Sequence, residues 1–251
     1  TKALLRFAAL KKEGQDISYK DAVKQAERIA DERSRSVIKL LESLGGRIIS
    51  GKAVKVETGK VTVDSGEVIE GTNILIATGS AARKLPIAEY DDTHIITSKE
   101  ALEMDSVPGN AVVVGTGATG IELATVWSRF GSSVTVLEML PNIMGFDDSE
   151  ISSEAVNAYE EQGIIIKTEV TVTEVKKAGE KVSVKYTDAA GQHEIITDRV
   201  LVAAGIIPVT EGMGLEELGM DIQRGSIQID NNMRTNIEGI YAAGDVTGKM
   251  A

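Results

Sequence analysis

Apolar positions recur with two different periods along the chain, and the two periods divide it into predicted helices and strands. Helical spacing predicts a short helix over residues 2–10, a long helix over residues 19–44 with Ser18 as its N-cap, and another helix over residues 148–161. Short alternating or uniformly apolar runs predict strands at residues 47–49, 53–57, 60–63, 68–70, 74–77, 164–166, 170–176, 181–187, 193–197, 199–203 and 239–243.

Residues 111–138 combine a strand, a glycine-rich turn, a helix and a second strand. The apolar run at residues 111–114 leads into Gly115-Thr116-Gly117-Ala118-Thr119-Gly120, and an amphipathic helix over residues 121–130 precedes a strand at residues 134–137. In a dinucleotide site the first glycine allows the tight turn, the second lets a pyrophosphate approach, and the third lets helix and strand pack. The N–H groups at the helix start would then face the phosphates. A glycine-rich turn of purely structural use is the alternative.

Glu138 ends the second strand of this unit, 23 positions after Gly115. An acidic residue at this distance is placed to accept a hydrogen bond from a ribose 2′-hydroxyl. Its charge would repel a 2′-phosphate, and Met139, Leu140 and Pro141 supply no nearby cation to offset that repulsion. The sequence therefore predicts NAD rather than NADP as the ligand.

Composition and charge narrow the classes of function. The formal net charge of −11 disfavours nucleic acids and anionic membranes as partners, because both require a positive surface. Cysteine is absent from the 251 residues, so they hold no disulfide, catalytic thiolate or cysteine-ligated zinc. No apolar run approaches the length of a transmembrane helix, and no signal peptide is expected. His94 and His193 lack matching ligand residues nearby, so no metal site is predicted.

Two further strand ends carry small or acidic residues. Thr78-Gly79-Ser80 follows one apolar strand, and Gly244-Asp245 follows another. Such residues at the carboxyl ends of strands could meet a flat ligand at a sheet crevice, with Asp245 accepting from a sugar-type hydroxyl. Ordinary turn chemistry explains the same residues, so both interpretations stay open at this point.

Three segments together resemble the pyridine nucleotide–disulfide oxidoreductases in order and spacing, and within that family the dihydrolipoamide dehydrogenases most. They are residues 77–80, residues 115–124 and residues 234–246. The resemblance implies an α/β fold of the FAD/NAD-linked reductase type. It implies a Rossmann-like NAD domain with a β-meander at residues 108–232, inserted in a partial FAD-binding domain formed by residues 1–107 and 233–251.

The resemblance also implies a role for each matching position. NAD would be contacted by the glycine loop, by Glu138 at the adenosine ribose and by two further positions, in all Gly115, Thr116, Gly117, Ala118, Thr119, Gly120, Ile121, Glu122, Glu138, Val170 and Gly205. FAD would be contacted by Lys2, Ala53, Thr78, Gly79, Ser80 and Asp245. Lys2 would lie beside the flavin and pair with Glu122 near the nicotinamide, which makes these two the candidate catalytic residues.

The chain also departs from the family pattern. The family's first glycine fingerprint, both redox cysteines and the C-terminal interface domain are not found in these residues, so a fragment of such an enzyme is expected. Ile206 stands where many members carry an arginine after the glycine.

The resemblance implies NAD and FAD as cofactors and a dihydrolipoyl-bearing protein, or another small disulfide or dithiol, as substrate. It implies a homodimeric parent enzyme in the cytoplasm, or in the mitochondrial matrix of a eukaryote. Another NADH-dependent flavoprotein, of the mercuric reductase, transhydrogenase or NADH oxidase type, is one alternative. A non-catalytic NAD-binding module is the other.

Overall fold

The structure of the protein is a computed structural model that describes residues 1–145 and 148–249. The chain divides into two compact units. The first unit comprises Thr1–Val37 and Ala82–Gly205, and the second comprises Ile38–Ala81 and Ile206–Ala251. The predicted domain boundaries after residues 107 and 232 fall elsewhere and stay a prediction about the family's cofactor domains.

The described parts of the chain form five α-helices, seventeen strands and a 3-10 helix at Asp245–Thr247. The helices are α1 (Lys2–Lys12), α2 (Tyr19–Ser43), α3 (Ser98–Glu103), α4 (Ala118–Arg129) and α5 (Ser149–Glu160). The strands are β1 (Ala53–Glu57), β2 (Lys60–Val63), β3 (Val68–Glu70), β4 (Ile74–Ile76), β5 (Ser80–Ala82), β6 (Ile95–Ile96), β7 (Asn110–Val114), β8 (Ser133–Leu137), β9 (Ile164–Lys167), β10 (Thr171–Ala178), β11 (Lys181–Asp188), β12 (Gly191–Thr197), β13 (Arg199–Val202), β14 (Ile206–Pro208), β15 (Ile222–Gln223), β16 (Ser226–Ile227) and β17 (Ile240–Ala242).

A five-stranded parallel sheet in the order β6-β13-β7-β8-β9 organises the first unit. Successive residues of β7 face opposite sides of this sheet. Val113 joins an apolar core that includes Trp127 of α4, while Val112 and Val114 join a second core. Because both faces are covered, β7 reads as a continuous apolar run in the sequence.

The second core lies under a three-stranded antiparallel meander in the order β10-β11-β12. Val175 of β10 and Val182 and Val184 of β11 are fully buried there, and Val170 completes the packing at the entrance to β10. The meander and the parallel sheet were both expected from the sequence, and the structure contains both.

The second unit contains a three-stranded antiparallel sheet in the order β1-β2-β3 and a parallel pair, β4 and β17. Val56, Ile76, Ile227, Ile240 and Val246 form its core. The strand expected at residues 74–77 is present as β4, and Leu75 on it is 62% exposed.

Some elements differ from the sequence-based expectations. The strand predicted at residues 47–49 does not form, and Ile48 there is exposed with no paired strand. Helix α3 was not predicted, although Thr97 and Glu100 form its capping box. Helix α2 forms as expected, with the N–H of Asp21 donating to Ser18, but its apolar side is buried only near its start.

No helix in residues 1–145 and 148–249 is long and apolar enough to cross a membrane. Within the same residues, no three side chains of the metal-ligating types come together. His94 instead lies 2.9 Å from Asp91, and His193 lies 2.8 Å from Asp188.

Candidate dinucleotide site

The predicted site residues of the first unit follow strands that end at one edge of the parallel sheet. Val114 at the end of β7 is level with Val202 of β13 and with Leu137 of β8. The loops that begin at Gly115, Glu138 and Ala203 therefore leave the sheet side by side. Between β7 and β13 the strand order reverses direction along the chain, which is where ligands bind in sheets of this kind.

Two glycines of the loop lie where no side chain fits. Gly115 has a φ of +103°, and a Cβ on it would lie 2.6 Å from the carbonyl oxygen of Ala203. A Cβ on Gly120 would collide with the carbonyl oxygen of Gly115. By contrast, a Cβ on Gly117 would meet nothing within 4 Å, and this residue is exposed as the N-cap of α4. The open space over Gly117 is the space that an approaching phosphate requires.

The carboxylate of Glu138 is fixed by donors from two segments. Its Oε2 accepts hydrogen bonds from the backbone N–H of Thr116 at 2.8 Å and from the Thr116 hydroxyl at 2.6 Å. Its Oε1 accepts from the N–H of Leu140 at 2.9 Å. The Glu138 side chain is half-buried, so the carboxylate stands at the mouth of the site in a defined orientation.

A cleft of about 440 Å³ opens at this edge, and we call it the Gly115 cleft. Of the residues predicted to bind NAD, those that line it are Gly115, Thr116, Gly117, Glu138, Val170 and Gly205. The remaining predicted residues, Ala118 to Glu122, form the first turns of α4 and do not line it. Ile121 among them is buried in the apolar core.

Arg83, Leu85 and Ile87 also line the Gly115 cleft and were not predicted from the sequence. Arg83 is the one cation among the described lining residues, and no ion pair or side-chain hydrogen bond joins its guanidinium to another described residue. Its backbone N–H donates to the carbonyl of Gly205 at 3.0 Å, which holds it at the cleft. No local pattern in the sequence marks Arg83, because a long-range contact brings it to the site.

Lys2 and Glu122 lie on two helices of the first unit that pack against each other, α1 and α4. Lys2 is exposed and Glu122 is half-buried, and no ion pair joins the two described side chains. The expected ion pair between Lys2 and Glu122 is therefore not formed in this structure. Their catalytic roles stay a prediction.

The environment of Glu122 is visible in its effect on Tyr159. Burial is the main reason why the pKa of Tyr159 is raised, and the nearby Glu122 carboxylate raises that pKa further while Arg129 opposes the rise.

The second unit brings its own predicted residues together at the ends of two parallel strands. Ile76 at the end of β4 is level with Ala242 at the end of β17. The loops that follow meet, and the Ser80 hydroxyl donates to the Asp245 carboxylate at 2.8 Å. The backbone N–H of Val209 donates to the carbonyl of Gly79 at 3.0 Å. We call this arrangement the Ser80–Asp245 edge.

Thr78 and Ala53 take different positions in the second unit. The Thr78 hydroxyl donates to the carbonyl of Val209 at 2.6 Å, so it stabilises the loop itself. Ala53 lies in β1 and packs against the core that contains Val246, the residue after Asp245. The structure therefore gathers Thr78, Gly79, Ser80 and Asp245 at one edge and holds Ala53 against the adjoining core.

Comparison with known families decides what kind of protein has this arrangement. The family model described as pyridine nucleotide-disulphide oxidoreductase matches residues 3–251. The chain belongs to this family. Membership in the pyridine nucleotide-disulphide oxidoreductases confirms the resemblance stated from the three sequence segments, and the fold expected from it is confirmed as well.

Individual relatives agree with the family. Dihydrolipoyl dehydrogenase of Chlorobaculum tepidum is 34% identical over 236 residues, which cover 91% of this chain and 50% of the relative. Dihydrolipoamide dehydrogenase of Chaetomium thermophilum is 43% identical over 199 residues, which cover 77% of this chain and 39% of the relative. The chain thus spans about half the length, or less, of these oxidoreductases.

A solved structure of the same kind has the same fold. The HOCl-induced flavoprotein disulfide reductase of Escherichia coli superimposes with a TM-score of 0.88 at 25% sequence identity. The match covers 99% of this chain and 56% of that structure. This chain therefore shares its fold with a protein that is described as a flavoprotein disulfide reductase.

Proposed function

We propose that the Gly115 cleft binds NAD(H) and that this chain carries the NAD-binding part of an FAD- and NAD-dependent disulfide oxidoreductase. The observation that carries the proposal is the Glu138 carboxylate, held by Thr116 and Leu140 at the mouth of a cleft whose floor is the glycine loop. A ribose acceptor and a phosphate cradle thus stand at one sheet edge, in the arrangement that a dinucleotide requires.

Each part of the cleft fits a part of the dinucleotide. Gly117, the N-cap of α4, leaves room above the backbone for the pyrophosphate, and the positive end of the α4 dipole favours negative charge beside it. Arg83 adds the cation that two phosphate charges favour. Val170 and Gly205 line the remaining wall. When bound, NAD supplies the hydride chemistry, and these residues supply position and electrostatic field.

The charge of Glu138 supports NAD over NADP. A 2′-phosphate beside this carboxylate would be repelled by about 1–4 kcal/mol at about 4 Å, depending on the local dielectric. Arg83 is the one cation among the described lining residues that could offset this repulsion. Its backbone N–H donates to the carbonyl of Gly205, whereas Glu138 is bonded by Leu140.

We further propose that the parent enzyme is a dihydrolipoyl dehydrogenase whose flavin is contacted by Lys2, Ala53, Thr78, Gly79, Ser80 and Asp245. The names of the relatives and the parallel-strand geometry of the Ser80–Asp245 edge support this assignment. Such an enzyme would pass hydride between NAD and FAD and act on a dihydrolipoyl-bearing protein or another small dithiol. A homodimer in the cytoplasm or the mitochondrial matrix is part of the same proposal.

Two measurements on the purified chain test the proposal. Titration with NADH, followed by nicotinamide fluorescence, is expected to give saturable binding that Glu138→Gln weakens. Glu160→Gln, at an exposed carboxylate on α5 outside the cleft, is the matched control and is expected to change nothing. Absence of saturable binding, or equal loss in both variants, would contradict the NAD assignment.

The absorbance spectrum tests the flavin part separately. Flavin bands that stay with the protein through gel filtration, either as purified or after incubation with FAD, would support the flavoprotein assignment and exclude the non-catalytic module. A colourless protein that binds NADH but no added FAD would favour the non-catalytic module for this chain.

A further inference from the structure

The Thr116 hydroxyl is a buried polar group with two partners, and one of them, Glu138, lies at the mouth of the Gly115 cleft. Thr116 is only 2% exposed. Its hydroxyl donates to Glu138 Oε2 at 2.6 Å and accepts from the N–H of Met144 at 3.2 Å. The hydroxyl therefore links the glycine loop, the carboxylate at the end of β8 and the segment that follows it.

The hydrogen bonds to Glu138 leave its two oxygens unequal. An ionised carboxylate has about four lone-pair sites. Oε2 already accepts from both the N–H and the hydroxyl of Thr116, at 2.8 Å and 2.6 Å. Among the residues that the structure describes, only the Leu140 N–H donates to Oε1, at 2.9 Å. One acceptor site on Oε1 is thus left for a ligand.

We propose that Thr116 is a positioning residue that occupies Oε2, so that Glu138 accepts a single ribose hydroxyl on Oε1. This inference rests on the proposed function, because it concerns how the same cleft would hold the adenosine ribose. A short, charge-assisted hydrogen bond from a buried hydroxyl restrains the carboxylate more firmly than a solvent-exposed donor would.

A second threonine–glutamate pair in the same unit has the same local geometry and serves as a reference. Thr97 donates to Glu100 Oε2 from its N–H at 2.9 Å and from its hydroxyl at 2.6 Å. That pair forms the capping box of α3 and lines no part of the Gly115 cleft. Thr97→Val therefore removes the same kind of contact without touching the proposed ribose site.

The first experiment compares NADH with two analogues that lack either the 2′- or the 3′-hydroxyl of the adenosine ribose. Affinities are measured by fluorescence titration on the parent chain and on Glu138→Ala. One analogue is expected to bind the parent chain at least about tenfold more weakly than NADH does. This difference from NADH is expected to vanish in Glu138→Ala. The other analogue is expected to give the same ratio to NADH in both proteins.

The outcomes of this experiment separate the two proposals. No saturable binding of NADH to the parent chain would overturn the proposed NAD site itself. A second outcome is that NADH binds, but the Glu138→Ala change removes the affinity loss of both analogues or of neither. The proposal that Oε1 accepts one hydroxyl is then overturned, while the NAD site stands.

The second experiment tests the threonine hydroxyl. Thr116→Val is expected to weaken NADH binding about three- to tenfold, and Thr116→Ser, which keeps the hydroxyl, is expected to restore most of the affinity. Thr97→Val is expected to lower the melting temperature while leaving the NADH affinity within twofold of the parent chain. Equal NADH affinity of Thr116→Val and the parent chain, or failure of Thr116→Ser to bind more tightly than Thr116→Val, would overturn the positioning role.

Discussion

The Gly115 cleft and the Ser80–Asp245 edge are both built from loops at strand ends, but they differ in why a glycine is needed in the loop. Each places loops at the carboxyl ends of parallel strands within its own unit. In the Gly115 cleft, a side chain on Gly120 would collide with backbone atoms. At the Ser80–Asp245 edge, Gly79 has a φ of +71° but open space around it. Packing thus requires glycine at position 120, whereas at position 79 only the backbone conformation favours it.

The largest expected effect comes from adding one methyl group at the packed position. Gly120→Ala is expected to destabilise the protein by about 3 kcal/mol or more and to abolish NADH binding, because neither the loop nor α4 can move without breaking the sheet edge. Gly79→Ala, the matched change in the second unit, costs only the left-handed conformation, roughly 1–2 kcal/mol. Thermal melts of both variants check the ranking. Equal melting temperatures would show that packing does not distinguish the two loops.

The next largest effect tests the electrostatic character of the Gly115 cleft. Glu138→Arg is expected to weaken NADH binding and to improve NADPH binding, because the repulsion of a 2′-phosphate becomes attraction. The ratio of the two dissociation constants, measured on the same variant, is expected to change by more than tenfold and does not depend on how much protein is folded. An unchanged ratio would remove Glu138 from the ribose site.

The sequence predicts the Gly115 loop well because its determinants are local. Strand, glycine spacing, helix and terminal acid lie within 28 consecutive residues, from Ala111 to Glu138, and the structure has each of these elements. The predicted meander and α5 are also present, since strand alternation and helical spacing are equally local signals.

Other features depend on distant contacts and could not be predicted in this way. Arg83 reaches the cleft because its N–H pairs with Gly205, which is far away in the sequence. The predicted strand at residues 47–49 had a suitable composition, but no neighbouring strand pairs with it in the structure. Helix α2 forms over the predicted residues, yet which of its turns are buried is set by packing partners rather than by the helix itself. The role of the Thr116 hydroxyl likewise appears only when Glu138 lies beside it.

A smaller effect is expected from Gly117→Ala, which should lower the NADH affinity without lowering the stability of the fold. A Cβ on Gly117 would meet nothing within 4 Å, and this residue has a φ of −59°, so Gly117→Ala is expected to leave the melting temperature within about 2 °C of the parent chain. NADH affinity is nevertheless expected to fall by about tenfold, because the methyl group occupies the space that a phosphate needs. Unchanged affinity would place the phosphates elsewhere.

The smallest expected effect lies at the Ser80–Asp245 edge. The hydrogen bond between these partly buried side chains is charge-assisted, so a double-mutant cycle of Ser80→Ala and Asp245→Asn is expected to give a coupling energy of about 1 kcal/mol. Hydrogen exchange of the loops after β4 and β17 measures it locally, which avoids assuming that a chain of two units unfolds in one step. NADH affinity is expected to stay within twofold in all three variants. A coupling as large as the effect of Gly120→Ala would mean that side-chain contacts hold this edge as firmly as packing holds the Gly115 loop, and the contrast between the two sites would then be lost.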